Sequence, residues 1–305
     1  MKVRRKRSGE LWVAVGFLLP NLIGFALFTM WPVIAAFLLS FSEWDLLTPP
    51  RWVGLANFVD LLGFHLSDGA WVPNDSDFWK FLWNTIFLLL GLPATMATSL
   101  ALALVLNQKL RFTYAYRLVF FLPGILSGVA IFYLWRWIYN PEFGLMNAAL
   151  AALGIDGPPW LSDYLWAKPA LMIMGLWLYA GGTGMLLYLA ALQGIPQDLY
   201  EASAIDGAGP WQKFIHITWP GVMPVTFFIF VMGVIGGLQG GFEMAYIMTQ
   251  GGPFGATTTI GYYIYTMAYE SFRMGYAAAI ACVLFVIILG VTLLNWRFGG
   301  RNLNV

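Results

Sequence analysis

Charge is what this chain has least of. Asp, Glu, Lys and Arg together make up 10% of its 305 residues, where a water-soluble domain carries about 25%. Too few charges remain to cover a surface facing water, which excludes both an ordinary soluble enzyme and a disordered chain. Cysteine is nearly absent too. Cys282 stands alone inside an apolar run, so no disulfide and no cysteine cluster forms within one chain, and it reads as a small buried apolar residue. The two histidines, His65 and His216, fall on opposite expected sides of a membrane, which leaves no catalytic triad and no metal cluster. No Gly-x-x-x-x-Gly-Lys-Ser/Thr run occurs, so the chain has no loop with which to cradle ATP phosphates. No catalysis is expected of it, and no cofactor within it.

What is present is apolar: 60% hydrophobic residues, 17% aromatics and a mean hydropathy of +0.72. A membrane-crossing helix needs about 20 mostly apolar residues. Leu11–Ser42, Phe81–Gln108, Leu118–Trp135, Pro169–Gln197, Phe214–Phe242 and Met274–Trp296 hold no Asp, Glu, Lys or Arg. An all-α integral membrane fold of six helices follows, with spans at about 11–42, 81–108, 113–137, 169–195, 214–248 and 274–297. Long unbroken runs in place of alternation exclude a barrel. Residues 1–10 form a basic tail and 11–305 one transmembrane domain. The first run is about twice the length of a signal-peptide core and lacks a clear cleavage site, so it stays as an anchor. Met244–Tyr269 is uncharged but too polar for a seventh span; it reads as an external loop with short helical pieces.

Orientation follows from Lys and Arg. With an inner N-terminus, Lys2, Arg4, Arg5, Lys6, Arg7, Lys109, Arg111, Arg117, Lys213, Arg297 and Arg301 lie inside. Arg51, Lys80, Arg136, Lys168 and Arg273 lie outside, a ratio of eleven to five. Both termini are therefore expected in the cytoplasm, in a multi-pass protein of a bacterial inner membrane. A net charge of +1 and a basic run confined to one end give no nucleic-acid signature.

Between the fourth and fifth spans lies an inner loop over 196–220. Pro196 ends the preceding helix, Asp198 is placed to cap a short helix reaching about Ile205, and Gly207 and Gly209 permit a sharp turn. Such a loop is either a compact knob offered to a soluble partner or an ordinary segment lying on the membrane surface. Its residues are similar to the Glu-Ala-Ala loop of the permease subunits of bacterial ABC importers. Glu201, Ala202, Gly207, Ile217 and Pro220 match at the family's spacing, while Ser203 replaces the second alanine and Trp219 a leucine. Further stretches resemble the sugar-permease branch that handles maltose-like oligosaccharides, other glycosides and glycerol phosphate. They are Gly54–Phe58, Asn84-Thr85, Phe120–Pro123, Leu192–Pro196, Phe242-Glu243 and Met248–Pro253. Together they cover about residues 12–297.

The resemblance implies a type I importer permease whose loop, through Glu201, Ala202, Ser203, Asp206, Gly207, Ile217 and Pro220, forms a coupling helix docked on an ATPase. It also implies a second, related permease, two copies of that ATPase carrying ATP and Mg, an extracytoplasmic solute-binding protein and a sugar substrate moved by alternating access. A different energy class stays open beside it, a carrier driven by an ion gradient, although no inverted repeat is evident.

An ionisable group at membrane depth is costly and so marks a path or a contact. Glu243 is the clearest, following the glycine-rich 236–241. Gln239, Glu243 and Tyr246 either line a polar path that hydrogen-bonds sugar hydroxyls, or the glycines are helix-packing contacts and Glu243 is simply hydrated near the outer boundary. Trp177 and Tyr179 are candidate stacking partners for a sugar's C–H face, against the alternative that such rings belong to interfacial belts. Arg136 and Glu142 read as a surface contact. The segment His65–Asn74 is either a docking loop or filler.

Overall fold

The computed structural model describes residues 7–108 and 111–299. Lys2, Arg4, Arg5, Lys6, Lys109 and Arg301, which carry much of the orientation argument, lie outside the described residues. The contacts divide the chain into two compact units, 1–75 with 264–283 and 76–263 with 284–305.

In the first unit, α1 (Arg7–Phe25) runs through a π-helical turn at Ala26–Met30 into α2 (Trp31–Leu39). Val13–Leu39 makes one continuous apolar stretch able to cross a membrane. Two short antiparallel hairpins depart from the all-helical expectation. Strands β1 (Ser42–Glu43) and β2 (Arg51–Trp52) pair directly beyond the span, with the Phe41 ring stacked on Trp52 at 5.5 Å. The helix α3 (Ala56–Leu62) follows, and buried Asn57 donates from its amide to the Ser40 and Ser42 carbonyls. Strands β3 (Phe64–Ser67) and β4 (Ala70–Pro73) form the second hairpin. Asp68-Gly69, both at positive φ, make its two-residue turn. His65–Asn74 is thus an ordered hairpin, closed where Asn74 Nδ2 donates to the Val59 carbonyl.

In the second unit, α4 (Ser76–Leu89) and α5 (Gly91–Leu106) form one apolar stretch of 31 residues. Next come α6 (Thr113–Phe121), α7 (Gly128–Ile138) and α8 (Leu145–Ala152), then α9 (Ala167–Ala180) and α10 (Thr183–Gln193). The inner loop supplies α11 (Gln197–Ile205) and α12 (Pro210–Lys213). A π turn at Phe214–Thr218 leads into α13 (Trp219–Gln239), followed by α14 (Phe242–Met248) and α15 (Ile260–Tyr265). The final helix, α16 (Met274–Gly299), runs unbroken over Met274–Arg297 and is shared by the division: its part up to Val283, with half-buried Cys282, counts with the first unit and the rest with the second.

Four stretches are long and apolar enough to cross a membrane, or up to six if each bent pair counts as one span. The bent pairs are α6 with α7, at 93°, and α9 with α10, at 43°. The span expected at 214–248 is also interrupted: α13 ends at Gln239, and Gly241, at φ +86°, turns the chain into α14.

Close helix contact in lipid rests on small residues and good packing, because lipid chains are as apolar as the side chains. Gly237 shows the limit, since a Cβ there would sit 2.3 Å from Leu89 Cδ2. One core gathers Phe132, Trp135, Tyr139, Leu171 and Met174 from α7 and α9, and another Leu100, Met185, Tyr188 and Val222 from α5, α10 and α13.

Candidate functional site

Two places in the second unit carry the residues singled out from the sequence. The first is the inner loop. The helix α11 starts after Pro196, which occupies the capping position and offers no side-chain acceptor. Asp198 therefore sits in the first turn rather than at the cap, where its charge still favours the positive helix end. At the other end the Ala208 N–H donates to the Ser203 carbonyl (2.9 Å) and the Gly207 N–H to the Ala204 carbonyl (3.2 Å). With Gly207 at φ +77°, this is the Schellman closure, which satisfies the last carbonyls through a left-handed glycine. Gly209 is extended at φ −73°, so one glycine of the expected pair makes the turn. The Gly209 N–H donates to Gln212 Oε1, closing the start of α12.

Gln197 Nε2 donates to Glu201 Oε1 (2.9 Å), and the Tyr200 and Thr218 hydroxyls meet at 2.9 Å, tying α11 to the π turn below the fifth span. Ser203, Asp206, Gly207 and Ile217 border a shallow cleft of about 340 Å³ with Lys213 and His216. Glu201 and Ala202 are exposed outside it, and Pro220 lies in the first turn of α13. Beside the acidic residues, Ile205 is 88% exposed and Leu199 50%. Sequence reasoning did not single out these two apolar side chains, though both lie on the short helix it expected.

The second place lies where helices break. Between α6 and α7 the chain passes through a 3-10 turn at Leu122–Gly124. Between α9 and α10 it passes Gly181-Gly182. The two breaks touch: a Cβ on Gly124 would stand 3.7 Å from the Gly182 Cα, and one on Gly181 would overlap the Phe120 carbonyl oxygen. The third break, at Gly240-Gly241, leads into α14, which packs on α7. This places Glu243 Oε2 against the first residue of α7, 3.5 Å from where a Gly128 Cβ would lie. The Glu243 carboxylate is near enough to the Tyr179 hydroxyl to interact with it electrostatically.

Gln239, Glu243, Tyr246, Trp177 and Tyr179 are all exposed in the single chain. Tyr246 stacks on Phe242 at 5.6 Å and meets Tyr262 edge-on at 5.7 Å; Trp177 packs edge-on against Trp135 at 5.6 Å. The breaks thus bring Tyr179, Glu243 and Gly128 together, from the third, fourth and fifth segments. The breaks in the third and fourth were missed, although Pro123-Gly124 and Gly181-Gly182 were their signals. In lipid an interrupted helix exposes backbone groups that must be satisfied by protein or by a water-filled cavity.

Toward the far end of the same segments, Arg136 Nη1 donates to the Ile247 carbonyl (3.2 Å) and lines a second cleft of about 320 Å³ with Asn140, Ser162, Thr249 and Gln250.

A hydrophobic chain with broken helices and a compact inner loop is an integral membrane transport component, and the chain belongs to the family of binding-protein-dependent transport system inner membrane components, whose model matches residues 80–299. Among its relatives, the probable ABC transporter permease protein YesP of Bacillus subtilis is 35% identical over 97% of this chain and 93% of that protein. The arabinooligosaccharides transport system permease protein AraP of the same species is 32% identical over 93% and 87%. A crystal structure of a bacterial alginate ABC transporter, in complex with alginate pentasaccharide-bound periplasmic protein, contains a chain with a TM-score of 0.84 at 25% identity, covering 98% of each.

Membership of this family decides between the two energy classes in favour of the ABC importer. The chain is a multi-pass inner membrane permease subunit and not itself an enzyme; ATP is used by a separate chain of the transporter.

Proposed function

We propose that this chain forms half of a translocation path for a sugar or oligosaccharide and couples it to the ATPase through the inner loop. The observation that carries the coupling role is the closed turn at Gly207, which fixes α11 against the fifth span through Tyr200 and Thr218 while leaving Ile205 and Leu199 without cover. A short rigid helix with an exposed apolar end and acidic flanks suits docking in a cleft of another subunit. Glu201, Ala202, Ser203, Asp206, Gly207, Ile217 and Pro220 then hold that lever. In this reading six spans place both termini in the cytoplasm. A second, related permease completes the path, two copies of the ATPase bind ATP and Mg, and an extracytoplasmic solute-binding protein delivers the sugar. The sugar assignment draws support from AraP, named for arabinooligosaccharides. Gln239, Glu243, Tyr246, Trp177 and Tyr179 combine hydroxyl acceptors with ring faces, the chemistry a sugar requires.

The test is ATP-dependent uptake of labelled arabinooligosaccharide in cells carrying Glu201→Lys or Gly207→Asp. Both variants should insert in the membrane and lose uptake by tenfold or more. Normal uptake in both would remove the coupling role.

A further inference from the structure

We infer that the second hairpin, β3 with β4, lies on the membrane surface, with Phe64, Leu66, Trp71 and Pro73 set into the lipid interface as an apolar tether. The inference goes beyond the transport reading, in a segment that neither the path nor the inner loop uses. Register decides what the hairpin presents. Phe64 pairs with Pro73, His65 with Val72, Leu66 with Trp71 and Ser67 with Ala70. Side chains alternate along a strand, and directly paired residues share a face. One face is therefore Phe64, Leu66, Trp71 and Pro73, without a polar side chain, and the other is His65, Ser67, Ala70 and Val72. Leu66 is 63% exposed and Trp71 73%, so packing within their own unit does not cover them.

What covers this face follows from where the base of the hairpin is held. Val13–Leu39 and the stretch beginning at Met274 are both long and apolar enough to cross a membrane. Their ends are tied at one level, because the Met274 N–H donates to the Trp44 carbonyl (2.9 Å), shortly beyond Leu39. Asn57 fixes α3 to the Ser40 and Ser42 carbonyls at the end of the first span, and Asn74 Nδ2 closes the hairpin on the Val59 carbonyl of α3. The Tyr276 hydroxyl, in the first turn of α16, donates to the Asp75 carboxylate beside the hairpin base. The base is thus bonded to two span ends, where hydrocarbon gives way to water. Four-residue strands rise about 13 Å, so the whole hairpin stays close to that boundary. An amphipathic element held there lays its apolar face on lipid, and tryptophan is a side chain enriched at that depth. The attachment is apolar rather than electrostatic, since residues 52–79 include Asp60, Asp68, Asp75 and Asp77 but no Lys or Arg.

The experiment places a nitroxide on either face of one strand in the purified transporter, made free of cysteine (Cys282→Ser in this chain) and held in lipid nanodiscs. Leu66→Cys and Ser67→Cys are labelled in turn, which leaves Trp71 in place. Collision with oxygen, which concentrates in lipid, is compared with collision with a water-soluble nickel chelate. The oxygen-to-nickel ratio at 66 should exceed that at 67 by about fivefold or more, with or without phosphatidylglycerol in the disc. Adding Trp71→Ser should lower the ratio at 66 toward that at 67. Retained ATPase activity and unchanged assembly establish that the labelled variants are folded. Equal ratios at 66 and 67 would overturn the inference, because the hairpin would then stand in water. So would a label at 66 that both reagents reach until the solute-binding protein is added and neither reaches afterwards, which would make the hairpin a protein docking surface. A ratio that needs phosphatidylglycerol would overturn the apolar character of the attachment.

Discussion

The two loops on either side of α13 and α14 are built on opposite plans. The outer loop of the expected topology, over 249–259, is fastened to α4 by buried polar groups. Asn84 Nδ2, on a side chain 1% exposed, donates to the Gly255 and Thr258 carbonyls, Thr85 Oγ1 accepts from the Ile260 N–H, and Lys80 Nζ donates to the Phe254 carbonyl. Thr257 and Thr259 lie buried within it. The inner loop closes on itself through the Gly207 turn and one hydroxyl pair, and leaves its apolar side chains outside. A loop whose polar groups are satisfied across spans is set in place by its own chain. One satisfied locally can move as a unit.

This contrast can be broken experimentally, most forcefully at the outer fastening. Asn84→Ala leaves one buried and one half-buried carbonyl without donors, so about 2–4 kcal/mol of stability should be lost. Thermal unfolding in detergent measures this, and protease should then cut within 249–259. A shift of under a degree would mean that the outer loop does not depend on its clamp. The next effect falls on the inner turn. Gly207→Ala puts a Cβ into a left-handed position and should cost about 1–2 kcal/mol. Because the strain is local, it should loosen α11 in hydrogen exchange while 249–259 stays protected; loosening of both would erase the distinction between the loops. Tyr200→Phe removes the hydroxyl pair with Thr218, at about 1 kcal/mol or less. Its main readout is weaker co-purification of the ATPase with unchanged thermal stability.

The smallest effect concerns a third loop, in the other unit, fastened neither across spans nor by a glycine. Asp45 accepts from the Thr48 N–H, the Thr48 hydroxyl and the Leu47 N–H. The Thr48 backbone bond, foremost among these, holds its carboxyl below the ordinary 3.8. A depressed carboxylate contributes order above its unfolded value and loses it as pH falls through the lower folded one. The 45–48 turn should therefore stay closed at pH 5 and open only below 3.8, as followed by the Thr48 amide resonance. Opening at pH 5 would show that those bonds do not hold the loop.

The sequence exposes these features unevenly. Absence of charge outlines the apolar segments because lipid penalises charge whatever the helix does inside it. That same uniformity hides the breaks at Pro123-Gly124 and Gly181-Gly182, since an interruption changes hydropathy hardly at all. The break at Gly240-Gly241 stays hidden as well, because glycines within an expected span over 214–248 read equally as helix-packing contacts. The hairpins were missed although Asp68-Gly69 is a strong turn signal, because their strands are two and four residues long. Asp198 misled in the opposite direction: its type suits a cap, but Pro196 fixes the helix start two residues earlier. The threonines of 249–259 announced a polar loop, whereas their partner, Asn84, lies more than 160 residues away in sequence.

The contact between Gly124 and Gly182 gives the fourth segment a fulcrum. No side chain separates the two backbones there, and the helices on either side of Gly182 have 14 and 11 residues. At 1.5 Å per residue these are arms of about 21 Å and about 17 Å. A tilt about that point moves the far end of α9 roughly a quarter farther than the far end of α10. A small push at the α10 end therefore arrives at the α9 end slightly enlarged and opposite in direction.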